Sequence, residues 1–239
     1  MRGDQRQPNQ LRPVRITPDF ISQASGSALI EVGRTRVICT ASIESGVPAW
    51  MRGGGKGWIT AEYSMLPAST NTRTARESAR GRISGRTHEI QRLIGRSLRA
   101  VTPMELIGER TVWLDCDVIE ADGGTRTASI TGAFVALYRA FDALVKSGNL
   151  AKVPLTDYVA AASVGIVGGV PMLDLCYQED STAEVDMNLV ITGAGKFIEM
   201  QATAERGAFD DSEYAALVSL GKLGVQQLIQ AQKHAGCVL

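Results

Sequence analysis

Alternating apolar and polar positions mark the predicted strands of this chain. Residues 28–43 alternate on either side of Gly33 and predict a β-hairpin. Residues 111–119 alternate in the same way, with Asp115 and Asp117 on the polar side of the predicted strand. Further short strands with glycine turns are predicted in the second half of the chain, over residues 159–167, 170–177, 185–192 and 197–203.

Helical spacing of apolar residues separates these strands. A first amphipathic helix is predicted from Thr87, and a second ends at Gly148, a residue type typical of the position just past a helix C-terminus. A third begins at a capping box of Asp210 and Glu213 and runs to about Lys233. The order strands, helix, strand, helix, strands, helix predicts an α/β (α+β) fold with helices packed on mixed sheets, rather than a Rossmann fold.

Two stretches of the chain are alike in pattern. ALIEVGRTRVICTASIESG and ASVGIVGGVPMLDLCYQED both contain strand, glycine turn, strand and an acidic end. This similarity indicates a duplicated unit. We therefore expect residues 1–239 to form a single domain of two pseudo-repeated halves, with the boundary near residues 150–158.

The composition is that of a soluble globular protein: 239 residues, 44% of them hydrophobic, with a formal net charge of +0. The four cysteines form no CxxC pair, which excludes zinc ribbons and thioredoxin-type motifs and favours a reducing compartment. The polar N-terminus has no apolar leader, and no uncharged run is long enough to cross a bilayer. We expect a cytoplasmic protein with no membrane partner.

Charge is distributed unevenly along the chain. Residues 1–100 hold 16 of the 25 basic residues, 15 of them arginine, but only 7 of the 25 acidic ones. One interpretation is that the two parts neutralise each other across an internal or subunit interface. The other is that an arginine face binds a polyanion close to a carboxylate cluster that holds a metal ion. Both interpretations can hold together.

A candidate phosphate site lies between a predicted strand and a predicted helix. Gly124, Thr125 and Arg126 place backbone N–H groups and a guanidinium at a helix N-terminus, where the helix dipole favours an anion. Arg86, just before the first helix, is a candidate for the same anion. The chain lacks Walker, GxGxxG, GxSxG and HExxH motifs and has only two histidines, which disfavours histidine-activated nucleophiles.

A candidate metal site lies among acidic residues between two predicted strands: Asp174, Glu179, Asp180, Glu184 and Asp186. On one continuous strand Asp180 and Asp186 would be separated by about 20 Å, so the residues between them must turn if both are to share an ion. With such a turn the pair could hold Mg²⁺. The alternative is a solvated acidic loop. An anion site, arginines and paired carboxylates together indicate phosphoryl transfer on a polyanion.

Long blocks of the sequence resemble the bacterial ribonuclease PH family over nearly the whole chain. They include GVPAWMRGGGKGWITAEYSMLP, LDCDVIEADGGTRTASITGA and EDSTAEVDMNLVITGAGKFIEMQATAE. The resemblance implies a duplicated β-α-β-α fold. It also implies a phosphate-dependent 3′-to-5′ exoribonuclease that trims tRNA precursors, and rRNA by extension, and releases nucleoside diphosphates. The family uses Mg²⁺ and forms a homohexamer, a trimer of dimers.

By position, the resemblance assigns phosphate binding to Arg86, Gly124, Thr125 and Arg126, and catalysis and metal binding to Asp180 and Asp186. We further expect RNA-backbone binding by arginines off the apolar stripe of the first helix or in the polar loop before it: Arg73, Arg76, Arg92, Arg96 and Arg99. The chain departs from the usual family pattern at Ala68, Glu120 and Ala202. These departures bear more on RNA affinity than on chemistry.

Two other functions are compatible with parts of the pattern. A catalytically inactive, RNA-binding subunit of an exosome-like ring would show loss of the carboxylate pair or the phosphate loop, and both are present. A nucleotide-binding protein outside RNA metabolism would need a base-specific pocket, which the sequence does not show.

Overall fold

The computed structural model describes residues 2–239, except for the side chain of Arg80. A five-stranded sheet forms the first half, in the order β1-β2-β3-β5-β4. Its strands are β1 (Val14–Pro18), β2 (Gly26–Val32), β3 (Thr35–Ser45), β4 (Trp58–Met65) and β5 (Arg110–Glu120). All neighbouring strands in it are antiparallel except β4 and β5, which are parallel.

A four-stranded antiparallel sheet forms the second half, in the order β7-β6-β8-β9. Its strands are β6 (Val159–Val167), β7 (Val170–Leu173), β8 (Val185–Thr192) and β9 (Phe197–Ala204). The helices are α1 (Gly85–Arg99), α2 (Met104–Ile107), α3 (Thr125–Lys146), α4 (Tyr177–Asp180) and α5 (Asp211–His234). The predicted α/β fold with mixed sheets is confirmed.

Helix α3 lies between the two sheets and contacts both of them. It packs on β2 and β3 of the first sheet and on β6 of the second, and Phe134 and Phe141 on it are fully buried. Because both sides face protein, the helix is apolar nearly all round. By length and composition it could cross a membrane, but 72% of its most apolar window is buried inside the protein. We therefore assign α3 as a buried core helix.

The structure contains two strands that the sequence analysis did not predict, and it ends a third strand earlier than expected. Strands β1 and β4 were not predicted, because one lies in the polar N-terminal segment and the other follows the glycine-rich loop at residues 52–57. The strand expected over residues 170–177 ends at Leu173. Asp174 adopts a left-handed backbone conformation there (φ 56°), and the chain then enters α4. This short helix carries one of the predicted catalytic carboxylates.

Candidate active site

One cavity of about 280 Å³ is lined by every residue to which the sequence assigned catalysis or phosphate binding. These residues are Arg86, Gly124, Thr125, Arg126, Asp180 and Asp186. They come from the start of α1, the β5–α3 loop, the end of α4 and strand β8. One of the contacts that hold this arrangement together, described below for Arg12, joins residues 162 positions apart in the chain.

The β5–α3 loop is shaped by two glycines. Gly123 and Gly124 both have positive φ values, 79° and 66°, which glycine adopts without steric cost. Thr35 holds the loop: its Oγ1 donates to the carbonyl oxygen of Gly123 (2.7 Å) and accepts from the N–H of Asp122 (3.0 Å). No side chain caps α3, so the helix presents its free N-terminal amides beside the cavity.

The two cavity arginines differ in how firmly they are held. The Nη1 of Arg126 donates to Oε1 of Gln201 (2.9 Å) and lies 3.5 Å from Oε1 of Glu89. The amide of Gln201 in turn donates to Glu89 (2.9 Å), so Arg126 is oriented by a closed polar triad. Arg86, in the first turn of α1, is exposed. The guanidinium of Arg126 is therefore held in place by its neighbours, whereas the side chain of Arg86 is exposed to solvent.

The two carboxylates meet because the chain turns between them. Asp180 ends α4 and Asp186 lies on β8, with a turn at Ser181 and Thr182, as the sequence analysis required. Burial and the nearby charge of Asp180 raise the pKa of Asp186 to about 6, against the opposing effect of Arg126. Asp180 lines the same cavity. Partial burial raises the pKa of its carboxyl, while the charges of Arg126 and Arg86 oppose the rise.

An all-oxygen set of candidate metal ligands faces the cavity. Asn188 lines it with the two carboxylates and donates its Nδ2 to Oδ2 of Asp186 (3.4 Å), which leaves the amide oxygen of Asn188 available. Within residues 2–239 there is no cluster of three or more His, Cys, Asp or Glu side chains placed to hold a metal. Two carboxylates with an amide oxygen and substrate phosphate suit Mg²⁺ better than zinc or copper.

The acidic group splits into two parts with different roles. Asp174 and Glu179 are buried and form ion pairs with arginines of an N-terminal arm, which we define as residues 2–12. The Nη2 of Arg2 contacts Glu179 at 2.7 Å, and the Nη2 of Arg12 contacts Asp174 at 2.7 Å. At these ion pairs, the basic first part of the chain and its acidic second part neutralise each other internally. This is one of the two interpretations of the uneven charge distribution.

Arg12 connects this ion-pair network to the phosphate loop. Its Nε and Nη2 grip the two carboxylate oxygens of Asp174 at 2.9 and 2.7 Å. Its other contacts go to the carbonyl oxygens of Asp122 and Gly123 in the β5–α3 loop. Burial alone would raise the pKa of Asp174, but the hydrogen bonds and charge of Arg12, with Arg6, outweigh burial and lower it.

Sequence reasoning missed this function of the N-terminal arm. The excess of arginine before residue 100 was the available signal.

The predicted RNA-binding arginines fall into two groups. Arg73, Arg76 and Arg92 are exposed. Arg96 instead pairs with Glu199, and Arg99 donates to the carbonyl oxygen of Ile59 (2.8 Å) with its guanidinium 4.6 Å from the centre of the Trp58 ring. The first group is free to meet a ligand from solvent, whereas the second already has partners within the chain.

Two of the family departures have simple structural consequences. Glu120 is paired with Arg34 at 3.2 Å and with Arg36 at 3.5 Å, so its negative charge near the phosphate loop is balanced. Ala202 lies within β9 opposite Met187, where the backbone is extended and glycine is not required.

The sequence matches the 3′ exoribonuclease family in both parts: domain 1 over residues 10–141 and domain 2 over residues 157–224. It is 61% identical to ribonuclease PH of Solibacter usitatus over 98% of both chains. It is 58% identical to ribonuclease PH of Bacillus subtilis, over 98% of this chain and 96% of that one.

Solved structures share the fold at lower identity. Rice (Oryza sativa) Rrp46 superposes with a TM-score of 0.78 at 20% identity, over 97% of this chain and 98% of that one. A chain of the Archaeoglobus fulgidus exosome with RNA bound to the active site gives a TM-score of 0.81 at 20% identity, over 96% and 91%. The family match and the shared fold define the class of this protein, a 3′ exoribonuclease. The chain belongs to the 3′ exoribonuclease family, in its ribonuclease PH group.

Proposed function

We propose that the described cavity is where the chain carries out phosphorolysis, with inorganic phosphate held by Arg86, Arg126 and the amides of Gly124 and Thr125. The chain is a phosphorolytic 3′ exoribonuclease that trims tRNA precursors. The observation that carries the proposal is the convergence on one cavity of an uncapped helix N-terminus, two arginines and two carboxylates.

The reaction needs no protein nucleophile. An oxygen of hydrogen phosphate forms a bond to the phosphorus of the last phosphodiester, and the bond from that phosphorus to the 3′ oxygen of the preceding nucleotide breaks. The attacking phosphate loses a proton and the leaving oxygen gains one. The products are a nucleoside diphosphate and an RNA one nucleotide shorter. Positioning and charge neutralisation supply most of the catalysis in such transfers.

The residues of this chain divide that work. Arg126, oriented by Gln201 and Glu89, fixes the attacking phosphate beside the N-terminus of α3. Arg86 approaches from α1 and adds a second positive charge. Asp180, Asp186 and the amide oxygen of Asn188 would hold Mg²⁺, which when bound neutralises negative charge on the transferring group.

We also propose that the chain works as a homohexamer, a trimer of dimers, in the cytoplasm. An exposed aromatic patch supports association between copies: Trp50 is 71% exposed and packs edge-on against Trp58, with ring centres 5.3 Å apart. Trp113 lines the same surface depression as Trp58 and is also exposed. Patches of this kind mark protein interfaces. The native mass in solution tests the hexamer, and a monomer at micromolar concentration would contradict it.

Substitution of the carboxylates tests the assignment of the cavity. Asp180→Asn and Asp186→Asn remove metal ligands without adding bulk, so turnover should fall by about 100-fold or more while RNA affinity is retained. Glu184→Gln is the matched control, because Glu184 belongs to the same acidic stretch but its Oε2 only accepts from the N–H of Gly169 (3.0 Å). Wild-type turnover in either aspartate variant would refute the assignment.

A further inference from the structure

One buried hydroxyl at the cavity has no partner. Ser163 on β6 is 6% exposed, and its Oγ makes no hydrogen bond to any residue that the structure describes. The oxygen lies 3.7 Å from the point where a Cβ on Gly124 would stand, so it faces the phosphate loop. Buried hydroxyls are nearly always satisfied, and an unsatisfied one lowers stability. Its presence beside an anion site therefore needs an explanation.

Two other buried hydroxyls, those of Ser129 and Ser97, find hydrogen-bond partners within the chain. Ser129 donates to the carbonyl oxygen of Thr125 (2.8 Å), and Ser97 donates to that of Leu93 (2.7 Å). Among the described residues, the other buried polar atoms without a partner belong to Ser69 and Gln232, and neither lines the cavity. Of these three unpaired atoms, the hydroxyl of Ser163 is therefore the one that lies at the cavity.

The second sheet places Ser163 in a row of polar side chains on one face, two of which, Ser163 and Asn188, line the cavity. Ser163 is the register partner of Asn188 on β8, and Asn188 is the partner of Gln201 on β9. Direct partners across a sheet point to the same face. Asn188 contacts Asp186, and Gln201 orients Arg126. The other two members of the row, Asn188 and Gln201, thus already contact residues of the site. Ser163 is the member nearest to Gly124.

We propose that the Oγ of Ser163 donates a hydrogen bond to the inorganic phosphate held at the N-terminus of α3. This assignment rests on the proposed function and extends it, because the other phosphate contacts, Arg86 and residues 124–126, all come from the first half of the chain. Ser163 is then the contact that the second half contributes. A bound phosphate would bridge β6 and α3, so its binding would also stabilise the packing of the two halves.

Removal of the hydroxyl separates this role from a structural one. In Ser163→Ala the phosphate affinity should weaken about tenfold, the size expected for one hydrogen bond to a charged group, while the KM for RNA is unchanged. Without phosphate, the Tm of Ser163→Ala should equal or exceed that of the wild type, because no bond is lost. With phosphate, its Tm should rise less than the wild-type Tm does.

Ser97→Ala is the matched control, since it removes a buried hydroxyl that donates to Leu93, away from the cavity. It should lower the Tm and leave the phosphate affinity unchanged. Thermal unfolding is measured for all three proteins across a titration of inorganic phosphate, with steady-state phosphate kinetics alongside.

One result would overturn the inference alone: equal phosphate affinity in Ser163→Ala and wild type, whether or not the Tm without phosphate is lowered. Failure of phosphate to stabilise the wild type or to support its turnover would overturn both the inference and the proposed phosphate site. If the Ser163 hydroxyl binds only a water molecule and not phosphate, Ser163→Ala and the wild type will have equal phosphate affinity, and the inference alone is overturned.

Discussion

Arg126 and Arg86 show how two like residues at one site acquire different properties. Arg126 is locked by Gln201 and Glu89 and is largely buried, whereas Arg86 is exposed on the first turn of α1. A side chain that is already held by its neighbours gives up little conformational freedom when an anion binds, whereas an exposed side chain gives up more. Both contribute charge, and Arg126 contributes orientation as well.

We predict that Arg126→Ala and Arg86→Ala raise the phosphate concentration needed for half-maximal turnover by about tenfold to a hundredfold each. The reason is the loss of one charge-assisted contact of about 1.5–3 kcal/mol. The KM for RNA should change much less. Phosphate titrations at saturating RNA measure the effect, with the exposed Arg52→Ala as the control, and curves that overlay the wild type would disprove the role of these arginines.

The residues that sequence could and could not identify differ in the range of their contacts. Gly124, Thr125 and Arg126 are contiguous, so a local strand-to-helix pattern was enough to single them out. Arg12 and Ser163 act through partners far along the chain: Arg12 grips Asp174, 162 positions away. No local periodicity reports such a pairing. The signals that existed, surplus arginine and a polar residue in an apolar strand, identify no partner by themselves.

Asp174 is the residue on which the N-terminal arm closes. It is 5% exposed and accepts from both the backbone and the side chain of Arg12. Its folded pKa is lowered below the usual value near 3.8, so its ionised form stabilises the fold. That stabilisation is complete above the unfolded pKa and is lost as pH falls through the folded one.

We predict that Asp174→Asn lowers the free energy of unfolding at pH 7 by about 3–5 kcal/mol, because the substitution leaves buried arginine charge uncompensated. The difference from wild type should begin to shrink below about pH 4, the unfolded pKa, and vanish as the pH falls through the lower folded pKa of Asp174. Denaturant unfolding at both pH values measures it. Asp4→Asn is the control, since Asp4 is exposed and its pair with Arg6 should contribute less than about 1 kcal/mol. A loss that is independent of pH would contradict the ion-pair account.

At the scale of elements, the β5–α3 loop and α4 are packed so closely that only glycine fits between them. A Cβ on Gly123 would lie 2.5 Å from the carbonyl oxygen of Leu175 and 3.0 Å from the N–H nitrogen of Tyr177. The β5–α3 loop carries the proposed phosphate contacts, and α4 carries Asp180. Their spacing therefore sets the distance between phosphate and carboxylates.

A pair of glycine substitutions separates backbone strain from this close approach. Gly148 has nearly the same φ as Gly123, 76° against 79°, but no atom lies within 4 Å of its would-be Cβ. We predict that Gly148→Ala costs about 1–2 kcal/mol of stability with normal turnover. Gly123→Ala should cost more and also reduce turnover, because α4 must move. Chemical denaturation and steady-state rates measure both effects, and normal turnover in a folded Gly123→Ala protein would refute the spacing argument.

Most elements followed from periodicity, and the exceptions have physical causes. The three long helices and the hairpin were predicted, down to the capping box of Asp210 with Glu213. The error at residues 170–177 arose because Val170, Met172 and Asp174 continue an alternating pattern. The left-handed conformation of Asp174, held by arginines of the N-terminal arm, ends the strand there. Tertiary ion pairs overrode the local pattern.

For the whole molecule, the structure shows one of the two meanings of the charge balance, internal neutralisation, and the other, an arginine face that binds a polyanion, stays a prediction. Arginines of the N-terminal arm are consumed by internal ion pairs, whereas Arg73 and Arg76 on the loop before α1 are exposed. Arg76 lies close enough to Asp117 to oppose the rise in pKa that burial gives that carboxyl. The role of these two arginines in RNA binding, and the division of the chain into two halves near residues 150–158, stay predictions.

We predict that replacing Arg73 and Arg76 together by alanine weakens RNA binding and makes it less sensitive to salt. Each lost phosphate contact should reduce the log–log salt slope by about 0.7 for a single strand. Binding is measured across a salt series, with the native mass as a check on assembly. An unchanged slope with a broken assembly would show that the two arginines belong to an interface between copies.

The central claim is that inorganic phosphate held at Arg86 and residues 124–126 is the group that attacks the RNA. Radiolabelled inorganic phosphate, supplied with Mg²⁺ and a tRNA carrying a short 3′ extension, tests it directly. The account predicts labelled nucleoside diphosphates as the product, with label incorporation in Arg126→Ala restored only at much higher phosphate. Release of unlabelled nucleoside monophosphates, at a rate independent of phosphate, would contradict it.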